Sequence, residues 1–304
     1  MRVLINGLPL FSERLAKDLK SQDPTSTFLF LDTYNSKWAQ LKFILLLPFA
    51  DLVISLNGVT DNSGSLNAVL KLKKKLVLQW MGTDALLAMD RFENGTIKRD
   101  YIDYASNFVD SSWLKDEVES VGVKTEFLYF KSTEVVPAIS KYNGLSAISY
   151  IAQNRQEFYG IKRVVSLANQ FPEIPFYIFG MDQAEIDIPS NVILKGWVPV
   201  HQFQAALKES PIFLRLTDHD GFPVSVIEAL GFGAEVLMSL PSELTYLATT
   251  EEEAIHAMHQ AIEKIKRRDF TPNFDTIETV KVNYNRKQLM KIYLLKLKSI
   301  LENN

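Results

Sequence analysis

The chain has 304 residues, 47% hydrophobic and 23% charged, which suits a globular protein with apolar material for two cores. A formal charge of -3 argues against general nucleic-acid binding, which normally needs a basic domain. The absence of cysteine excludes disulfides and thiolate chemistry and fits a reducing compartment.

Short β-type runs alternate with longer amphipathic stretches, the pattern of parallel sheets joined by crossover helices. In the first half, strands are predicted at 2–5, 27–31, 52–56, 76–79, 107–109 and 125–128, with helices at 11–20, 37–46, 65–74 and 112–121. The opening residues enter the first strand without a secretory h-region, so a cytoplasmic location is expected. The apolar run 43–49 is too short for a membrane span of about 20 residues. It reads as a buried helix end or as peripheral contact with the inner face of a membrane. The basic cluster Lys71, Lys73, Lys74 and Lys75 suits a solvated helix end or an anionic lipid or acceptor.

Residues 131–144, with a proline, a glycine and scattered polar residues, read as a linker. Domains are therefore expected at 1–135 and 145–285. The second series has strands at 147–152, 175–179, 192–194, 212–216 and 235–238, and helices at 161–169, 201–208, 224–231 and 251–267. A final amphipathic helix within 286–304 places Leu289, Ile292, Leu295 and Leu297 near one face. The whole is α/β, with two Rossmann-like doubly wound domains whose ligands belong at the carboxyl ends of the strands.

The most informative stretch runs from Phe213 to Gly233. An apolar strand feeds a polar turn, and Pro223 stands where a first helical residue is expected. The helix start offers backbone N–H groups and a positive dipole end, an anion site around Phe222, Pro223 and Val224. Gly221 allows close approach of a ligand, and the Glu228 carboxylate can accept two hydrogen bonds from a vicinal diol. An anion site beside a diol acceptor is what a nucleoside diphosphate requires. Ordinary capping chemistry is the bland alternative.

This stretch resembles the retaining GT-B glycosyltransferases, in particular the large family-4 group. Asp220-Gly221-Phe222-Pro223 and Glu228-Ala229-Leu230-Gly231-Phe232-Gly233 follow its signature, with Asp220 and Glu228 eight residues apart. Ile178-Phe179-Gly180 and Asn191 to Val198 extend the likeness upstream in the right order.

The resemblance implies two domains facing a cleft, with a C-terminal crossover helix returning to the first. It implies that Asp220 faces the donor sugar, Glu228 the ribose, and the backbone of Phe222–Val224 the phosphates. Gly180 belongs to the donor pocket, and Trp197 and Val198 lie near the base. His219 orients a neighbour or touches the sugar. Arg155 aligns with a cation that neutralises the pyrophosphate, but Tyr159 stands where a lysine is usual. Lys162 or Arg215 is then a candidate for the missing charge. Arg215 either caps the sheet edge or reaches the pocket. Gly7 lies in a loop expected under the donor phosphates. Asp84, after a buried strand at the edge where relatives bind acceptors, orients an acceptor hydroxyl or serves as a helix N-cap. Asn57-Gly58 and Asn62-Ser63-Gly64 line the same region or are simple turns.

Asp218-His219-Asp220 also spells D-x-D, a metal motif of single-domain transferases, but it leads into a helix late in the chain, and no resident metal is expected. His256 and His259 lie three apart without an evident third ligand. The expected activity is transfer of a sugar from a nucleotide-diphosphate sugar, UDP or GDP ahead of ADP, to a glycan, lipid-linked or small-molecule hydroxyl acceptor. Retention of configuration follows from the resemblance, and no cofactor is expected to be tightly bound. A nucleotide-sugar epimerase is disfavoured because all four histidines lie beyond residue 200. A non-catalytic glycosyltransferase-like subunit that binds nucleotide or steadies a partner is the rival from another class.

Overall fold

A computed structural model describes residues 1–133 and 139–302. The chain divides into two compact units, Met1–Lys131 with Arg286–Asn304, and Ser132–Asn285. The expected boundary at residue 135 lies outside the described residues.

The first unit carries six parallel strands: β1 Arg2–Gly7, β2 Thr27–Phe30, β3 Leu52–Leu56, β4 Lys75–Gln79, β5 Ser106–Val109 and β6 Thr125–Phe127. Its helices are α1 Pro9–Gln22, α2 Lys37–Leu46, α3 Gly64–Lys71, α4 Thr83–Glu93, α5 Asp100–Tyr104 and α6 Ser112–Ser120. The sheet order is β2-β1-β3-β4-β5-β6. Successive strands move to one side of β1 and then to the other, so the topological switch point lies between β1 and β3.

Apolar runs form these central strands because both sheet faces are covered. Alternation sends Val3 and Ile5 into one core with Leu15 and Leu19 of α1, while Leu4 enters the opposite core with Val69, Ala85 and Leu114. The helix predicted from residue 11 begins at Pro9, where a fixed φ and a missing N–H cost nothing. The helix predicted to reach residue 74 stops at Lys71, and Lys73 takes a positive φ of 49°.

The second unit holds β7 Ala147–Tyr150, β8 Phe176–Phe179, β9 Val192–Gly196, β10 Ile212–Arg215, β11 Glu235–Met238 and β12 Tyr246–Leu247, in the order β12-β11-β10-β7-β8-β9. Its helices are α7 Ile161–Gln170, α8 Val200–Glu209, α9 Val224–Gly231, α10 Glu251–Arg267 and α11 Phe274–Asn283. The switch point here lies between β7 and β10. Neither β12 nor α11 is anticipated by the periodicity, since two residues make the strand and only Ile277 and Val280 anchor the helix.

The last helix, α12 Arg286–Glu302, belongs to the first unit. Its buried face is Leu289, Met290, Tyr293, Leu294 and Leu297, packed in the core with α1. Ile292 and Leu295, placed with the apolar face by spacing, are 47% and 58% exposed. Arg286 reaches Asp18 at 3.7 Å and Lys296 reaches Glu126 at 2.5 Å, which holds the helix at both ends.

Candidate functional site

In the second unit, the segments that leave β7 and β10 meet at the switch point. The turn after β10 is tied to the turn before α7. Asp218 N and Thr217 Oγ1 donate to the Phe158 carbonyl at 2.8 and 2.9 Å. Gly160 makes that approach possible, since an added Cβ would stand 1.9 Å from the Leu216 carbonyl oxygen.

Arg215, nearly buried at the end of β10, turns to the site and donates through Nε to Asp220 Oδ2 at 3.0 Å, with a second bond from the guanidinium to the same oxygen. Its guanidinium also lies 4.9 Å from the centre of the Tyr159 ring. Arg155 sits 3.8 Å over the Phe158 ring and 5.9 Å from Tyr159. Arg155, Tyr159, Arg215 and Asp220 are thus joined by contacts. Lys162 is not part of that chain; it pairs with the exposed Glu157.

Pro223 is the N-cap residue of α9 rather than its first helical residue, and the helix starts at Val224 with no side-chain cap bond. The reason is its extended ψ of 136°, which proline tolerates just outside a helix. Phe222 stacks on Tyr284 at 5.6 Å, a partner that sequence spacing does not suggest. Glu228 lies in the second turn of α9. Helical side chains lean toward the N-terminus, so its carboxylate covers the first turn. Gln204 of α8 donates to Glu228 Oε1 at 2.8 Å. Gln204 is a residue that sequence reasoning missed, because nothing local marks it. Gly221 and His219 are buried beside this turn.

The D-x-D carboxylates are committed separately, Asp218 to Arg163 at 3.0 Å and Asp220 to Arg215. Among the described residues there is no cluster of three or more acidic or histidine side chains that could hold a metal. His259 packs its ring against Phe171 at 4.9 Å.

Gly180, with φ +90°, is explained by backbone crowding: a Cβ would lie 2.6 Å from the Ile151 carbonyl oxygen. Its N–H bonds to the Gly196 carbonyl at 2.8 Å, which ties the ends of β8 and β9. Trp197, next along the chain, is 75% exposed, and Val198 is half-buried.

Gly7 and Asp84 belong to the first unit. Gly7 has φ +107°, and a Cβ there would stand 2.4 Å from the Leu56 carbonyl oxygen, so close packing of β1 on β3 demands glycine. Asp84 is buried and accepts from the backbone N–H groups of Gly58, Met81, Gly82 and Ala85. Its carboxylate therefore joins the loop after β3 to the start of α4, where Gly82 is the N-cap residue. Burial pushes the Asp84 carboxyl up, and the Gly58, Met81 and Gly82 donors pull against that shift.

Two doubly wound six-stranded units with a helix closing on the first define the GT-B class of fold. No protein-family model matches the chain, and no curated protein matches it in sequence. It is similar in structure to sucrose-phosphate synthase from Thermosynechococcus elongatus, with TM-score 0.70, 10% identity and full coverage of both chains. It is also similar to HepE from Anabaena, solved with UDP and glucose, with TM-score 0.65 and 10% identity over 98% of this chain and 100% of that one. A Listeria monocytogenes protein described as a UDP-N-acetylglucosamine 2-epimerase shares the fold at TM-score 0.58 and 13% identity, over 100% and 97% of the two chains. At such identities the likeness speaks for the fold alone.

Proposed function

We propose that this chain transfers a sugar from a nucleoside diphosphate sugar, UDP or GDP, to a hydroxyl acceptor. One observation carries the reading. Asp220 precedes the N-terminus of α9 and Glu228 lies in its second turn, and the N-cap residue Pro223 makes no side-chain cap bond. This helix start follows β10 at the β7/β10 switch point, where doubly wound sheets bind nucleotides. Backbone N–H groups and the helix dipole suit the diphosphate, and they stabilise the charge that develops as it departs.

Glu228, steadied by Gln204, accepts from the ribose diol. Asp220, set by Arg215, faces the donor sugar with His219 behind it. Arg155 adds a cation toward the diphosphate, and Trp197 offers an exposed ring to the base. The pairing of Asp218 and Asp220 with separate arginines supports transfer without a metal. Retention of configuration rests on the family-4 resemblance and is read from the anomeric signal of the product. The acceptor is assigned to the first unit.

Titration with UDP, GDP, ADP and CMP, followed by donor hydrolysis without acceptor, tests the reading. A nucleotide at a hundred times its dissociation constant stabilises the fold by about 2.7 kcal/mol. UDP or GDP should bind and its sugar conjugate should hydrolyse slowly, with both lost in Glu228→Ala. Binding without hydrolysis, even with acceptors present, favours the non-catalytic subunit. No binding of any of the four sinks both.

A further inference from the structure

At the β1/β3 switch point of the first unit, Asn6 and Ser55 are register partners on adjacent strands, and both are buried. The Asn6 amide nitrogen donates to Thr33 Oγ1 at 3.3 Å. Among the described residues, Asn6 Oδ1 and Ser55 Oγ have no hydrogen-bond partner. Both residues line a cavity of about 590 Å³ whose walls include Tyr34, Gln40, Asn62 and Ser63. Buried polar atoms are costly to leave unpaired, so two of them side by side in a cavity point to a ligand.

The chemistry of that ligand follows from the donor and acceptor inventory. An amide oxygen only accepts, so its partner carries a proton. A hydroxyl group donates to Asn6 Oδ1 and exchanges hydrogen bonds with Ser55 Oγ, whereas an ionised phosphate or carboxylate accepts from Ser55 Oγ but leaves Asn6 Oδ1, in the orientation its bond to Thr33 gives it, unpaired. The charged lining residues are Lys37 and Asp61, both exposed and of opposite sign, and Asp61 already pairs with Arg91 at 2.9 Å. The remaining polar lining is amide and hydroxyl, which suits an uncharged polyol.

One wall is α2, whose Leu41 and Ile44 line the cavity and remain exposed at its mouth. Trp38, Leu41 and Leu45 recur at helical spacing along one stripe; Trp38 is 81% and Leu45 63% exposed. Of the ten residues of α2, Phe43 alone is buried. The apolar stripe is therefore continuous with the cavity wall.

We propose that this cavity receives the sugar of a neutral glycolipid, with its apolar chain along Trp38, Leu41 and Leu45. This assignment rests on the sugar-transfer reading and names the acceptor class for it.

Titration of the full chain with glucose, octyl glucoside below its micellar concentration, octyl phosphate and UDP tests the proposal. Octyl glucoside should bind at least about tenfold more tightly than glucose, and octyl phosphate should not compete. Ser55→Ala should keep or raise the melting temperature of the free protein while weakening both sugars about tenfold. Gln40→Ala, on an exposed wall, provides a second variant should Ser55→Ala fold poorly. Trp38→Ser with Leu45→Ser should reduce octyl glucoside to the affinity of glucose and leave glucose unchanged. Octyl phosphate binding as tightly as octyl glucoside overturns the proposal, as does sugar binding indifferent to both Ser55→Ala and Gln40→Ala. Binding of UDP or GDP without glycoside binding overturns this proposal and spares the donor reading; glycoside binding without binding of UDP, GDP, ADP or CMP overturns the donor reading and the acceptor role with it, and leaves the cavity as a glycoside site.

Discussion

Gln204 of α8 donates a hydrogen bond to Glu228 of α9 at 2.8 Å, so the carboxylate assigned to the ribose is oriented from a neighbouring helix. Gln204→Ala should raise the dissociation constant of UDP or GDP about fivefold, and Glu228→Ala by about 10–100-fold. The 2′-deoxy nucleotide sharpens the test. It should bind the native chain more weakly than the ribonucleotide, and Glu228→Ala should no longer distinguish the two. Equal discrimination in the variant would remove Glu228 from the ribose.

Arg215 lies 4.9 Å from the centre of the Tyr159 ring and donates to Asp220 Oδ2 at 3.0 Å, and the proposed function gives Asp220 to the donor sugar rather than to the phosphates. Asp220→Asn should lower donor turnover about 100-fold, on the scale of losing a positioned polar group in a transition state. UDP affinity should stay within about twofold. A parallel loss of nucleotide affinity would mean that the residue shapes the diphosphate site instead.

The Asp84 carboxylate accepts from four backbone N–H groups in the first unit. Asp84→Asn places an amide donor against some of those donors, and each group left unsatisfied costs about 1–3 kcal/mol. Urea denaturation should show that loss, with donor hydrolysis per folded molecule unchanged. A variant of native stability with lost transfer would make Asp84 a catalytic group.

Glycine substitutions separate forced conformations from incidental ones. Gly160→Ala meets the Leu216 carbonyl at 1.9 Å in a left-handed backbone, so it should cost more than about 2 kcal/mol. Gly64, the first residue of α3, has open space around it, and Gly64→Ala should gain about 0.4–1 kcal/mol. Thermal melts of the two variants should move in opposite directions.

Hydrogen bonds from Thr25 and Ser26 hold the Asp23 carboxyl at about 2, below its ordinary 3.8. The stabilisation is complete above the unfolded value and fades as pH falls toward 2. Asp23→Asn should therefore lower the melting temperature at pH 5, with the difference from the native chain shrinking as the pH is brought below 3.8. A difference that stays constant with pH would detach the effect from this carboxylate.

The alternation of strands and helices, and with it the α/β fold, is legible in residues close together in the chain. Runs such as Leu52–Leu56 and Ile212–Arg215 are apolar because both of their faces are covered, and that demand shows directly as hydrophobicity. The turn into α9 is legible for the same reason, since proline and glycine act on their own backbone dihedrals. Helix α11 is not legible in the sequence because its burial comes from α9 rather than from a strong stripe of its own.

Partner choice was not legible. Arg215 could cap the sheet or turn inward, and only the fold of the loop after β10 delivers Asp220 to it. Asp84 reads equally as an acceptor-facing acid or a local cap until the loop after β3 is seen closing over its carboxylate. Asn6 and Ser55 are unremarkable polar residues until strand register sets them side by side. Hydrophobic burial and backbone geometry are felt residue by residue along the chain, so the primary structure carries them. Hydrogen bonding is settled only when every donor has found an acceptor in space, and that accounting belongs to the folded molecule.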